Sequence, residues 1–310
     1  MREVSVSVFR LFEMFPDEES ARAYFEQRRW NGTPTCPKCH AATKQYKVKR
    51  NGKEGYFECG CCRAVYTVRT GTIMERSHVP LRKWLFTLYL MGESRKGISS
   101  IQLAKELGVT QKTAWFMEQR IRKASADDNG GLGFLSNIVE ADETYIGGKE
   151  KNKHGNKKLR RGRGPAGKTP VLGMRQRNGK VKAQMLKGTS KAEIQDALRK
   201  SVAPGSTLCT DEHAAYNDMP EYDHRAVCHS AKQYVDGMAN TNGIESVWAI
   251  LKRAFCGIFH SFSVKHMQLY LNEVCFRLNS GKAGIPTLDR IDSLIDMCFG
   301  KRLTYSELVA

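Results

Sequence analysis

The sequence predicts a mixed α/β protein, with a cysteine-bearing, helix-rich N-terminal third followed by a larger core in which short strands give way to helices. Three observations predict it. Two Cys-x2-Cys pairs stand at Cys36/Cys39 and Cys59/Cys62. Short apolar runs between residues 138 and 210 have strand length and strand-type residues. From Asn242 onward, apolar residues recur at helical spacing. With 310 residues, 41% hydrophobic and 26% charged, the composition is globular. Fifty Lys and Arg against thirty-two Asp and Glu leave a formal charge of +18, so the expected partner is a polyanion. The longest largely apolar run, Trp84 to Met91, is far short of the roughly 20 residues that span a bilayer, and Arg2, Glu3, Arg10 and Glu13 occupy the stretch where a signal peptide is apolar. A cytoplasmic protein with reduced thiols is therefore expected, and clustered cysteines read as metal ligands.

Taken in order, Asp17 caps a helix running to about Trp30, where Asn31-Gly32-Thr33-Pro34 stops it. Between the cysteine pairs, Gln45–Arg50 and Gly55–Glu58 flank Asn51-Gly52, the signature of a hairpin. Pro80 opens a second helix to about Met91, with Leu81, Trp84, Leu85, Leu88 and Tyr89 at helical spacing. The glycine-rich stretch from Asp128 to Gly133 marks a boundary. Beyond it come strands at Ile138–Ala141, Thr169–Arg175, Val181–Leu186 and Thr207–Thr210, with a helix capped by Ser190 and running to about Val202. Helices then follow at Asn242–Phe255, Ser263–Leu278 and Leu288–Phe299.

The paired Cys-x2-Cys spacing is that of a structural zinc site, in which each pair turns on a knuckle and presents two thiolates to one tetrahedral ion. Cys36, Cys39, Cys59 and Cys62 are the expected ligands of one Zn2+. Cys61 is the spare, because pairing with Cys59 would leave a one-residue gap.

Ile98–Ala124 reads as helix, turn, helix, with Gly108-Val109-Thr110 as the turn and a second helix bearing Lys112, Thr113, Trp115, Arg120 and Arg122. Lys112, Thr113 and Arg120 are candidate DNA contacts if that helix enters a major groove; an ordinary helical hairpin has the same pattern. Gly147–Lys168 holds nine Lys or Arg and one acid, Glu150. Lys157, Lys158, Arg160, Arg161 and Arg163 there are candidate phosphate-backbone contacts, and a merely solvated loop is the alternative.

Acids at the ends of strands and helices form the sharpest constellation. Asp142 follows the apolar run Ile138–Ala141, Asp211 follows Thr207–Thr210, and Glu245 stands on a helix with Lys252 on the same face. Two Mg2+ ions about 3.5 to 4 Å apart need such oxygen ligands for in-line phosphoryl transfer. Each acid has a plainer role open to it: Glu245 completes a capping box with Asn242, Asp211 starts a turn, and Glu140 or Glu143 replaces Asp142.

Taken together, these residues resemble the DDE-type insertion-sequence transposases with an N-terminal zinc ribbon, the group related to the eukaryotic Merlin transposases. The matching stretches are Cys36-Pro-Lys-Cys39, Tyr66–Ile73, Val139–Gly148, Asn242-Gly-Ile-Glu245 through Leu251-Lys252-Arg253, and Lys265-His266 through Arg277-Leu-Asn279. The resemblance implies a ribonuclease H-like catalytic core, Asp142, Asp211 and Glu245 as the ligands of two Mg2+ (with Mn2+ able to substitute), and Lys252 as the accompanying lysine. Four segments follow: residues 1–78 for the N-terminal helix and zinc ribbon, 79–128 for the helix-turn-helix, 134–280 for the catalytic domain and 281–310 for a helical tail. One departure stands out: Asn240 occupies a position where relatives often carry His. Some members replace the last acid by Asn, which makes Asn242 a lesser candidate, and with Glu245 present the Glu is kept. His229 follows a strand-like segment and reads as a hydrogen-bonded structural histidine, with an approach to the triad as the alternative.

The expected function is DNA transposition: metal-dependent cleavage at transposon ends, then strand transfer into target DNA. The implied partners are terminal inverted repeats and target DNA, with a homodimer or larger assembly on DNA, and the implied setting is bacterial and nucleoid-associated. Two rivals remain. One is a zinc-ribbon transcription regulator, and the other a domesticated ribonuclease H-like nuclease.

Overall fold

The computed structural model describes residues 5–126, 133–148, 154, 167–227, 240–280 and 285–310. They fall into two compact units, Met1–Ser125 with Ser280–Ala310, and Ala126–Asn279.

The first unit begins with α1 (Val8–Met14) and α2 (Glu18–Trp30). Helix α2 starts where it does because Asp17 accepts the Ser20 N–H at 2.8 Å, and Ser20 returns its side chain to the Asp17 backbone in a capping box. Strands β1 (Gln45–Arg50), β2 (Lys53–Cys59) and β3 (Val65–Thr67) form an antiparallel sheet in that order. Phe57 and Tyr66 stack at 5.6 Å, and Trp30 meets both rings edge-on, so the ribbon is held to α2 by aromatic packing. Helix α3 (Leu81–Glu93) buries Leu81, Trp84, Leu85 and Leu88. The helix pair follows as α4 (Ser100–Leu107), capped by Ser99, and α5 (Gln111–Ala124), capped by Thr110.

The second unit contains β4 (Ile138–Ile146), β5 (Thr169–Gln176), β6 (Val181–Met185), α6 (Lys191–Arg199), β7 (Thr207–Thr210), β8 (Asp223–Ala226), α7 (Asn242–Ala254) and α8 (Met267–Ser280). Its sheet has the order β6-β5-β4-β7-β8. Strands β4, β5 and β6 are antiparallel neighbours, while β7 runs parallel to β4 and β8 parallel to β7, a mixed sheet compatible with the expected ribonuclease H-like core. Alternation along β4 divides the two faces. Val139 and Ala141 join a core with Ile194 and Leu198 of α6, whereas Ile146 joins one with Ile244, Val247 and Trp248 of α7.

Two features differ from expectation. Strand β4 continues through Asp142 to Ile146, because its backbone ladder with β5 runs unbroken from Val139↔Gln176 to Ile146↔Thr169. Polar side chains there interrupt the apolar run and leave the main-chain pairing intact. Strand β8 has the sequence Asp-His-Arg-Ala, which carries no apolar alternation; its pairing with β7 alone makes it a strand.

The chain ends with α9 (Thr287–Cys298) and α10 (Tyr305–Val309), which belong to the first unit. Tyr24 and Arg28 of α2 bond Asp292 and Asp296 of α9, and Arg290 pairs with Glu93 of α3 at 2.9 Å. The segment read as a separate tail is therefore part of the helical packing around α2 and α3.

Candidate active site

The pleat puts Glu140, Asp142 and Thr144 on the α7 face of β4. The parallel register Ile138↔Thr207, Val139↔Leu208, Glu140↔Cys209, carried two residues further, sets Asp142 abreast of Asp211 just past the end of β7. Asp211 is fixed locally: its Oδ1 accepts the His213 N–H at 3.0 Å, and the Thr210 hydroxyl, itself 2.8 Å from His224 Nε2, donates to the Asp211 carbonyl. Helix α7 brings Glu245, Trp248, Ala249 and Lys252 along one side. Together Asp142, Glu143, Thr144, Asp211, Thr241, Glu245, Trp248, Ala249 and Lys252 line one open cleft of about 460 Å³. The three expected acids and the expected lysine thus meet in a single place.

The alternative roles sort themselves by geometry. The N-cap of α7 is Thr241, not Asn242, and it makes no side-chain cap bond. Glu245 is consequently one residue too far along for a capping box, and its Oε1 accepts the Thr241 hydroxyl at 3.2 Å. Asn242 begins the helix. Glu140 is 3% exposed and committed elsewhere, with Oε2 accepting the Ile244 N–H at 3.0 Å and Oε1 facing the Arg177 guanidinium. Glu143 points to the opposite face and reaches the cleft beside Tyr216.

Electrostatically the cleft asks for cations. Burial pushes the Asp142 carboxyl up, the Trp248 N–H counters it, and Asp211 and Glu245 push it up again. Glu143 is pushed up to about 7, mainly by burial, with Asp211 adding to the effect. A concentration of carboxylates with one lysine on its rim, offering only hard oxygen donors from its acids, fits Mg2+ or Mn2+. The acids are set wider than the thiolates: among the described residues, only Cys36, Cys39, Cys59 and Cys62 put their ligand atoms all within 4.8 Å of one another.

Those four cysteines build a second site. Each knuckle closes in the same way, with the N–H of His40 on the Cys36 carbonyl and the N–H of Arg63 on the Cys59 carbonyl, and both closing residues take left-handed backbone conformations. The Sγ atoms of Cys36 and Cys62, and of Cys39 and Cys59, lie 3.6 Å apart, close to the roughly 3.8 Å that tetrahedral Zn–S bonds of about 2.3 Å impose. The Cys62 backbone N–H lowers the Cys59 thiol pKa, favouring the thiolate form that zinc binds. Cys61 is exposed and stands outside the cluster.

Of the candidate DNA contacts, Lys112 is exposed and Thr113 partly so at the start of α5; the Lys112 ammonium lies over the Tyr305 ring, 4.7 Å from its centroid. Arg120 requires correction. It is 8% exposed, stacks on Phe116 and donates Nε–H to the Leu303 carbonyl, so it is packing and cannot reach a groove. The amphipathic period of α5 puts it on the buried stripe with Met117, Ile121 and Ala124. Lys157, Lys158, Arg160, Arg161, Arg163 and His229 lie outside the described residues. Trp248 and Thr241 are site residues that the motif reading passed over; the helical interval from Glu245 to Trp248 to Lys252 carried the signal for the first.

Residues 134–279 match the family model of the ISXO2-like transposase domain, and residues 16–65 that of the transposase zinc-ribbon domain. An uncharacterized protein in transposable element ISH50 of Halobacterium salinarum is 29% identical over 254 residues, covering 77% of this chain and 83% of its own. Among solved structures, a chain of the Mos1 strand transfer complex shares 13% identity at a TM-score of 0.30, with 68% of this chain and 75% of that one covered. A chain of the simian T-cell lymphotropic virus intasome in complex with PP2A regulatory subunit B56 gamma also shares 13% identity at a TM-score of 0.30, covering 67% and 72% respectively.

Proposed function

We propose that this chain, which matches the ISXO2-like transposase domain over residues 134–279 and the transposase zinc-ribbon domain over residues 16–65, is an insertion-sequence transposase in which Asp142, Asp211, Glu245 and Lys252 carry DNA cleavage and strand transfer. The observation that carries the proposal is their convergence in one open cleft of about 460 Å³. Asp142, Asp211 and Glu245 would hold two Mg2+, or Mn2+ in their place. Bound there, the ions supply Lewis-acid activation of the attacking oxygen and charge neutralisation at the leaving oxygen.

The chain's own residues do the rest. The cleft is open, which suits a polymer lying across it rather than a small molecule enclosed in it. Lys252, exposed on the last turn of α7, contacts a phosphate oxygen beside the scissile bond. In the first step a water oxygen bonds to phosphorus as the P–O bond to the 3′ oxygen breaks, and the 3′ oxygen leaves with a proton as a hydroxyl. In the second, that hydroxyl attacks a target-strand phosphorus and displaces a new 3′ hydroxyl. No covalent enzyme intermediate is needed, consistent with a site of carboxylates and a lysine.

Elsewhere in the chain, Cys36, Cys39, Cys59 and Cys62 hold one structural Zn2+, the first turn of α5 with Lys112 and Thr113 touches DNA, and Lys157–Arg163 add backbone affinity. Two ends joined in one event call for a dimer or larger assembly. Cleavage of supercoiled DNA carrying the element's ends, with and without Mg2+, tests the proposal. Asp142→Asn, Asp211→Asn and Glu245→Gln should each lower cleavage by at least about a thousandfold while end binding persists, because removing a ligand takes away transition-state charge stabilisation and little packing. Wild-type cleavage by Glu245→Gln would return the regulator reading.

A further inference from the structure

We propose that Trp248 is the positioning residue of Asp142, and that Gly173 is glycine so that the indole can stand there. The inference rests on the reading of Asp142, Asp211 and Glu245 as a cation site and deepens it. Trp248 lies on α7 between Glu245 and Lys252, and its ring lines the cleft that they line. It is 4% exposed, and its Nε1–H donates to Asp142 Oδ2 at 2.7 Å. A neutral donor on a carboxylate at that length is a charge-assisted hydrogen bond. It occupies one lone pair, fixes the plane of the carboxylate, and leaves the remaining lone pairs for a metal.

A second, independent observation comes from the neighbouring strand. Gly173 of β5 is the register partner of Asp142. A Cβ at position 173 would sit within 2.5 Å of Trp248 Cζ2 and 2.8 Å of Ile244 Cδ1, both rigidly packed side chains. The requirement is steric, because Gly173 is not among the glycines with left-handed backbone. The indole therefore lies directly over the backbone of the strand beside Asp142. Sequence order hides this: three residues from three elements form one unit, in which Gly173 admits Trp248 and Trp248 aims Asp142. The same helix that delivers Glu245 to the site thus sets the geometry of a second acid, so docking of α7 would organise both acids at once.

The test measures Mn2+ binding to the full-length protein by electron paramagnetic resonance of the free ion, apart from cleavage. Outer partners of metal ligands affect affinity by about 10–100-fold. Trp248→Phe, which keeps an aromatic ring and loses the N–H, is expected to weaken Mn2+ binding at least about tenfold and to raise the Mn2+ concentration for half-maximal cleavage in parallel. Gly173→Ala should do the same by displacing the indole. In the Trp248→Phe background, Gly173→Ala should add less than about twofold, because the displaced group is already gone; neighbours that act as a unit are not additive. Wild-type Mn2+ affinity in Trp248→Phe, or losses that multiply in the double variant, would overturn the proposal. Unchanged Mn2+ binding in Asp142→Asn would instead overturn the cation-site reading beneath it.

Discussion

Two acidic neighbours on one strand face, Glu140 and Asp142, illustrate how one chemical group serves two purposes. Asp142 stands in an open cleft, bonded on one oxygen by Trp248. Glu140 is enclosed against the first turn of α7, where it takes the Ile244 N–H and faces Arg177. Helix α7 lacks a cap bond from its own N-cap residue, so a buried carboxylate from β4 satisfies an otherwise orphaned amide and meets the positive end of the helix. Gly243 belongs to the same arrangement, because a side chain there would run into that carboxylate. Replacing Glu140 should therefore cost stability where replacing Asp142 costs chemistry. Glu140→Gln is expected to lower the free energy of unfolding by about 1–3 kcal/mol in a urea titration, since one buried partner is left poorly satisfied. Asp142→Asn should unfold near the wild-type midpoint while losing cleavage. Equal midpoints for Glu140→Gln and wild type would show that the carboxylate is not needed to dock α7.

At the level of elements, the zinc knuckles and the catalytic sheet were legible in the sequence for different reasons. Cys-x2-Cys spacing is a local constraint, since each pair folds on its own knuckle, and the structure brings together the four cysteines that spacing selects. Besides the Trp30, Phe57 and Tyr66 cluster and the Arg29 bond to the Val68 carbonyl, the ribbon gathers four cysteine sulfurs at its knuckles, so its folding should depend on the metal. Metal analysis of protein purified without chelator should find one zinc per chain, and Cys62→Ser should lose most of it and weaken DNA binding, with the second unit's circular dichroism unchanged. Full zinc retention in Cys62→Ser would point to Cys61 instead. What sequence could not disclose is pairing across elements. Strand β4 looked finished at Ala141 because hydrophobicity reports side chains and not the main-chain ladder, and β8 was invisible because an edge strand owes its existence to β7. Likewise Arg120 looked like a groove reader because basicity is visible and the Leu303 carbonyl, distant in sequence, is not. Trp248 was in plain view, yet its purpose depends on Gly173, which only the register with β5 puts beneath it.

Over the whole molecule the formal charge of +18 is distributed unevenly, and Gly147–Lys168 alone sets nine Lys or Arg against one acid. In the sequence that segment connects β4, which carries Asp142, to β5, which carries Gly173. Lys and Arg bound to phosphates release condensed counterions, which makes affinity fall with salt in proportion to the number of phosphates neutralised and independently of base sequence. Helix α5 offers much less of this, since Arg120 and Arg122 are buried and Lys112 and Lys123 are its exposed basic residues. Sequence-independent affinity is thus expected to come mainly from the loop, whereas chemistry comes from the carboxylates and Lys252. Neutralising Lys157, Lys158, Arg160, Arg161 and Arg163 together should reduce the slope of log affinity against log salt by about 0.9 for each phosphate that the loop no longer neutralises. Cleavage at saturating DNA should change far less than affinity, because phosphate-backbone contacts add binding and not a carboxylate to the chemistry. An unchanged slope would mean that the loop stays in solvent and that the long-range attraction for DNA arises elsewhere on the surface.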